Sequence, residues 1–393
     1  MRSCSYGEPA GRKIGRIGNY DLYPSRLAAG ESADVLQPAA RNTAIEFHFV
    51  YGPSAGGLLE PVLFDIATPG ESIAEMTSDA MFKTRRIGIT GKAPDDVLLL
   101  VERINGPFAA SHAVSFLGAV EDALGIEPEN NVLMGRIIEL ELERIRNHLH
   151  VAARMCEAAA FSVPYNALFY LREQVSRIIG SYTGHRFFYG LNAVGEVRAD
   201  FTGVSASLEA VRKEASELFF PLLESKIFVD RLQGNGIVRD PGGVGPVARG
   251  CGRPYDARAD SSTLPYEDLG FLPLTEAGGG DAMDRFLVRF EEIFQSADLI
   301  KTAEKRMSGT SSGRHPGEIG TGEGLGRVES PSGDLAYIVD LRGGMVQKAC
   351  LLTPSAVNLP VFRRSTVGNV FTDFHFNWES FGIWISEIAV EFV

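Results

Sequence analysis

The sequence predicts a mainly α chain with minor β, of the α+β class: a central bundle of long helices, a small N-terminal sheet and a C-terminal β-hairpin. Three observations carry this. Apolar residues recur at helical spacing in five stretches between residues 108 and 300. A strictly alternating run stands ahead of them, and two apolar runs joined by Gly343-Gly344 follow. An apolar fraction of 45% is enough to fill the core such a bundle needs.

Residues 1–44 have no clear period and are rich in Gly, Ala and Arg, so they read as an extended N-terminal arm, with residues 45–393 as one domain. From Ile45 to Tyr51, apolar side chains at 45, 47, 49 and 51 predict a half-buried strand. Pro107 suits a first helical position and Gly125 a terminus, which predicts a helix over Phe108–Leu124. Ile138, Leu142, Ile145, Leu149 and Ala152 predict a long amphipathic helix, and Leu168, Leu171, Val175 and Ile178 another after Pro164. Val204, Leu208, Val211, Ala215 and Leu218 continue the pattern, with Pro221 as a kink or end. Phe286, Phe290, Ile293, Ala297 and Ile300 give the last long helix. Helices with one apolar stripe each must pack on one another. Glycine-rich stretches at 234–252 and 309–326 read as connectors whose length points to positioned, functional loops. Leu335–Leu341 and Met345–Leu352 are the arms of the hairpin.

A formal net charge of −12 opposes nucleic acid or anionic lipid as the main partner, because those need a basic face. The four cysteines, Cys4, Cys156, Cys251 and Cys350, are too scattered for a Cys-x-x-Cys pair and read as free thiols in a reducing compartment. The opening residues carry Arg2, Arg12, Lys13 and Arg16 but no apolar run of signal-peptide length, and no stretch approaches the roughly 20 apolar residues of a spanning helix. The expectation is a cytoplasmic chain, peripheral on the membrane's cytoplasmic face through its partners. Gly-x-Gly-x-x-Gly, P-loop and Gly-x-Ser-x-Gly patterns are absent, so nothing supports nucleotide binding or a serine nucleophile.

On the helix after Pro107, Phe108 and His112 are four residues apart and share a face. A lone His on an apolar helix is more often a satisfied core residue than a functional one. His148 and His150 are two apart, on different sides of a helix, which opposes a shared metal, and His185, His315 and His375 are isolated. Arg249, Arg253, Arg258, Asp256 and Asp260 crowd a Gly-rich segment, for which surface ion pairs on a solvated turn are the plain reading.

The runs Arg103-Ile104-Asn105-Gly106-Pro107-Phe108-Ala109-Ala110-Ser111-His112 and Ser380-Phe381-Gly382-Ile383-Trp384-Ile385-Ser386-Glu387 resemble the metal-binding stretches of NiFe hydrogenase large subunits. There, an Arg-x-Cys-Gly-x-Cys-x-x-x-His segment and a Cys-x-x-Cys segment supply four thiolates; here those positions are Asn105, Phe108, Trp384 and Glu387. Further stretches are similar to the membrane-bound, energy-converting members: Gly52-Pro53 with Leu58-Leu59-Glu60-Pro61, Glu143 to Leu149, Gly184-His185-Arg186-Phe187, and Gly326 to Pro331. The same fold serves as the quinone-site subunit of respiratory complex I, which also lacks the cysteines. This chain departs from both, with Ala55 where they carry a His and Gly88 at or near a glutamate that relays protons in hydrogenases.

The resemblance implies the NiFe-hydrogenase large-subunit fold around a vacated metal cavity. It places Asn105, Phe108, Trp384, Arg103 and Arg249 as lining, with His112 and Glu387 as proton donors. Nickel and low-spin iron need soft sulfur ligands, so no metal and no hydrogen chemistry is expected of this chain. The implied partners are an iron–sulfur small-subunit-like protein, other soluble complex-I-like subunits and a membrane arm of antiporter-like subunits. Three readings follow. The chain passes electrons from the iron–sulfur partner to a quinone-like acceptor, as an oxidoreductase subunit active only in the complex. Or it is a non-redox scaffold that couples its partners to ion translocation, its old cavity plugged by Phe108 and Trp384. Or Glu387, His112 and Asn105 hold a different metal.

Overall fold

The computed structural model describes residues 47–239, 242–260, 263–274, 278–307 and 320–393. It also describes three N-terminal strands, Gly15–Ile17 (β1), Tyr20–Tyr23 (β2) and Arg26–Ala29 (β3), paired antiparallel in that order. The expectations for Cys4, Ile45, His315 and residues 309–319 lie outside the described residues.

The small N-terminal sheet has the order β4 (Phe47–Tyr51), β5 (Leu63–Thr68), β6 (Glu75–Asp79), all antiparallel. β4 is an edge strand whose alternation does not bury one face as expected: Phe47, Phe49 and Val50 are exposed. The central β5 supplies the core contacts through Phe64 and Ile66. A short strand, β7 (Arg85–Ile87), leads into the helices.

These are α1 (Pro94–Val101), α2 (Ala109–Leu124), α3 (Asn130–Ala158) and α4 (Ser162–Thr183); a two-residue ladder, β8 (Asn192–Ala193) with β9 (Glu196–Val197); and α5 (Val204–Glu224), α6 (Lys226–Leu232), α7 (Pro246–Arg249) and α8 (Ala282–Arg306). The long helices that the periodicity predicts are α2, α3, α4, α5 and α8. α2 starts one residue late because Pro107 sits in a 3₁₀ turn, Gly106–Phe108, and it ends at Gly125 with a left-handed φ of 66°. Pro221 lies inside α5 and does not end it. α3 departs most from the expected single stripe: it is buried on nearly every side from Val132 to Cys156, charged residues included. The cause is its central place, packed on α4, α8 and a later helix.

The predicted hairpin is present as β11 (Gly333–Arg342) and β12 (Met345–Leu352), joined on its other side by β10 (Gly322–Ser330). The expectation of a glycine-rich loop is therefore corrected for residues 322–326, which are strand. Gly322, Gly324 and Gly326 alternate along β10 against Ala123, Ala119 and Ser115, four apart along α2. A Cβ at Gly324 or Gly326 would stand 2.0 or 1.9 Å from a helix carbonyl oxygen. The glycines let helix backbone lie directly on strand backbone, which no other side chain permits. Gly326→Ala is expected to destabilise the chain by about 1–3 kcal/mol or more through overpacking; a denaturation midpoint equal to wild type would contradict this contact.

The chain closes with α9 (Pro354–Thr366), α10 (Phe374–Phe381) and β13 (Val390–Phe392), which pairs in parallel with β7. Cys156 and Cys251 are free, whereas Cys350 is disulfide-bonded, which corrects the expectation for that thiol. Among the described residues no helix is long and apolar enough to cross a membrane.

Candidate functional site

The start of α2 and the last turns of the chain meet in the interior. α10 ends at Gly382, whose φ of 62° turns the chain where a Cβ would meet Arg289 Nη2 at 2.7 Å. Trp384 follows, and then a 3₁₀ turn, Ile385–Glu387, whose carboxylate points inward. On the other side Asn105 precedes the turn that carries Phe108, and His112 lies one helical turn further on. Asn105, Phe108, His112 and Glu387 are all buried, and Trp384 is half-buried.

Two sub-sites result. In the polar one, Glu387 accepts hydrogen bonds from Ser355 Oγ at 2.5 Å and Asn105 Nδ2 at 3.3 Å. His112 Nε2 stands 3.5 Å from Glu387 Oε1, within ion-pair reach but without hydrogen-bond geometry. Its Nδ1 lies 2.8 Å from the Tyr337 hydroxyl, whose pKa is raised, first by burial and then by the Glu387 charge. With Tyr337 donating to Nδ1, the ring proton sits on Nε2 and faces the carboxylate. In the apolar sub-site Phe108 meets Trp384 edge-on, with centroids 6.0 Å apart and rings inclined at 64°. Trp384 in turn stacks on His150 at 5.8 Å. Burial, then Arg172, Arg154 and Arg146, push His150 down to about 3, so it stays neutral at physiological pH.

The five positions at the two motifs thus come together, and the two arginines do not join them. Arg103 is half-exposed, its guanidinium 4.6 Å from the Tyr189 ring. Arg249 lies in a separate buried network, paired with Glu292 at 2.6 Å, Glu329 at 2.8 Å and Asp256 at 2.9 Å. The plain reading of a solvated turn is corrected for Arg249, Asp256 and Arg258, all of which are buried. The network continues through Arg144 and Glu141, and through His148, which bridges Glu292 and Arg289. Arg289 reaches the C-terminal motif at the Ser380 carbonyl.

Tyr337, Ser355, His150 and Glu60 join the site without having been singled out for it in the sequence. Glu60 accepts from the Ser386 N–H at 3.0 Å, and its pKa is raised by burial. His150 carried a signal, a ring on the α3 face opposite His148, but its stacking on Trp384 needed the helix rotation to be known. Tyr337 and Ser355 carried none, since a lone Tyr in a strand and a lone Ser after a Pro are ordinary.

These residues do not suit a nickel–iron centre, and the cavity beside Trp384 does not admit a quinone ring. An amide, two aromatic rings and one carboxylate offer no soft sulfur, and among the described residues no three His, Cys, Asp or Glu side chains cluster as metal ligands. The cavity beside Trp384, lined also by Glu60, His150, Glu379 and Gly382, holds about 20 Å³. That is room for a single water, where a small-molecule site takes about 300–1,000 Å³. Its polar residues suit a water: Trp384 Nε1 and His150 Nδ1 have no hydrogen-bond partner among the described residues.

Comparison with known proteins agrees with the resemblance. Residues 159–319 match the family described as "Respiratory-chain NADH dehydrogenase, 49 Kd subunit". The chain is 29% identical to the membrane-bound hydrogenase subunit alpha of Pyrococcus furiosus over 74% of each chain. It is 30% identical to a subunit of the NADH-quinone oxidoreductase of Chlorobium phaeobacteroides, over 65% of this chain and 69% of that one. In fold it is similar to a chain of the membrane-bound sulfane sulfur reductase, described as an archaeal respiratory membrane complex, with a TM-score of 0.80 at 21% identity over 89% of this chain and all of that one.

Proposed function

Because the chain belongs to the family of the respiratory-chain NADH dehydrogenase 49 kDa subunit and its membrane-bound hydrogenase relatives, we propose that it is a subunit of a complex-I-like or hydrogenase-like membrane assembly in which its own cavity no longer does chemistry. In this reading it is the coupling and structural body between soluble partners, among them an iron–sulfur small-subunit-like protein, and an antiporter-like membrane arm that moves ions. One observation carries it: Phe108 and Trp384, at two former cysteine positions, are packed against each other edge-on, and the cavity beside Trp384 has space for one water. Filling the site with aromatic rings gains burial and packing, while an acceptor would have to displace them.

The test is a density map of the gently extracted assembly incubated with a short-chain quinone under strong reductant. Phe108 and Trp384 in contact, with no ring between them and no quinone reduced at this subunit, is the expected result. A flat ligand resolved between them overturns it. A second reading, electron transfer from the iron–sulfur partner to a quinone-like acceptor, is favoured by the buried row Glu387, His112 and Tyr337, which has the groups to hold and pass a proton. It requires the acceptor to lie outside the packed rings, against a partner.

A further inference from the structure

The last turn of α9 closes on itself. Ser365 Oγ and Thr366 Oγ1 donate to the Phe362 carbonyl, Asn369 Nδ2 to the Ser365 carbonyl and Asn369 N–H to the Thr366 carbonyl. Beside this closed end lies a cleft of about 340 Å³, within the roughly 300–1,000 Å³ of small-molecule sites. Val361, Arg364, Ser365, Val367 and Asn369 line it from α9 and its end, and Arg239 from the segment before α7. Among the described residues no Asp or Glu lines it, in a chain whose formal net charge is −12. Positive charge gathers here, and Arg363 has its pKa lowered by burial and then by the Arg364 charge. Apolar surface continues from the wall of the cleft. Val367, which lines it, and Val370, one residue past Asn369, are both exposed. Phe371 follows and meets Phe49 edge-on at 5.1 Å. Phe47 lies on the same face of β4 as Phe49 and is also exposed. Among the described residues β4 pairs with β5 alone, so no strand covers its outer edge.

We propose that this corner holds one anionic phospholipid, its phosphate in the cleft between Arg239 and Arg364 and an acyl chain along Val367, Val370, Phe371 and the Phe49–Phe47 face. Guanidinium groups hold phosphate through charge-assisted hydrogen bonds, and basic pockets at a membrane select anionic headgroups. A contiguous exposed apolar strip is itself the mark of a binding surface. Inorganic phosphate would use the cleft and leave that strip in water. An uncharged amphiphile would cover the strip and leave the arginines without a counter-charge. An anionic lipid matches both. A single bound lipid needs no basic face, so the net charge that opposes attachment to an anionic membrane surface does not oppose it. The membrane as the source of the lipid rests on the proposed place of the chain in a membrane assembly; the pairing of a head site with a tail strip does not.

A short-chain phosphatidylglycerol with a photoreactive group in one acyl chain, used below its micellar concentration, tests this on the full chain alone and in the extracted assembly. After irradiation and digestion, label is expected in the peptides that contain residues 47–51 and 367–371. Phosphatidylcholine of the same chain length should label them far less, because its choline cation meets the arginines. Arg239→Gln combined with Arg364→Gln should cut phosphatidylglycerol labelling by about tenfold or more, and Phe47→Ser should weaken it by removing contact with the tail. A melting temperature equal to wild type shows that each variant is folded. Equal labelling by the two lipids, labelling unchanged in the arginine variant or in Phe47→Ser, or no label at these peptides in the chain alone overturns the site. Label in the chain alone that disappears in the assembly means that a partner covers this face, and overturns the lipid as its occupant. Label in both supports the site even where turnover measurements reject the coupling role, so the two readings fail separately.

Discussion

Arg249→Ala is expected to destabilise the chain by about 3–5 kcal/mol at neutral pH, the cost of breaking a buried ion pair and leaving charge behind. Arg249 is wholly buried and is shared by three carboxylates. Two of them have other partners: Asp256 pairs with Arg258, and Glu292 with Arg144 and with His148, which burial pushes down to about 3 and so keeps neutral. Glu329 is left with the Ala257 N–H at 3.0 Å. Burial and the neighbouring Asp256 already push Glu329 up to about 7 against the pull of Arg249. The sign of the pH dependence follows. An acid raised in the folded state keeps a proton that the unfolded chain gives up, so its contribution to stability falls as pH rises from about 4.3 to its folded value. Without Arg249 the folded value of Glu329 rises further, so the part of the penalty carried by Glu329 should be absent near pH 5 and grow as pH rises above about 7. Burial alone would raise Glu292, but Arg249 and the His148 hydrogen bond hold its carboxyl well below the usual range. Its wild-type contribution is lost only as pH falls through that low value. Arg249→Lys should recover little, because one ammonium cannot span three carboxylates. Chemical denaturation at several pH values checks this; a loss below about 1 kcal/mol at every pH would place the network among surface-like ion pairs.

The network also shows where sequence reasoning stopped. Spacing alone placed the five long helices, because one apolar stripe per helix is the signature of packing on a common core. The same logic failed for α3, where Glu139, Glu141, Glu143, Arg144 and Arg146 read as a polar face and are buried. Their partners come from elements far along the chain, Glu292 on α8, Arg258 beyond α7 and Ser111 on α2, and no local pattern encodes those pairings. Gly322, Gly324 and Gly326 were open to a better reading. Glycines at period two match a strand against which another backbone lies, whereas a flexible loop has no reason to keep that period. In the site, the resemblance to the hydrogenase motifs pointed to Asn105, Phe108, His112, Trp384 and Glu387, but whether the rings line a cavity or fill it depends on rotamers that a motif does not specify.

Phe108→Ala is expected to cost about 3–5 kcal/mol, and Trp384→Ala an amount near or below the low end of that range, because Phe108 is fully buried and Trp384 only half so. The two should not add. The rings touch edge-on, so a double-mutant cycle should give a coupling of about 0.5–1.5 kcal/mol. Removing Phe108 leaves a space the size of its ring against Trp384, whose Nε1, like His150 Nδ1, lacks a hydrogen-bond partner among the described residues. With such polar atoms close by, the new space should take up water and not stay dry as a wholly apolar one would. This also separates the two functional readings by more than stability. If the rings only fill the site, thermal midpoints fall in both variants while the turnover of the folded assembly is unchanged. If the rings form the wall of an acceptor site, turnover falls further than the folded fraction does, and Phe108→Leu, which restores much of the packing, recovers the midpoint but not the rate. Loss of turnover at an unchanged midpoint would abandon the plug in favour of the acceptor, and with it the proposal that the chain's role is coupling.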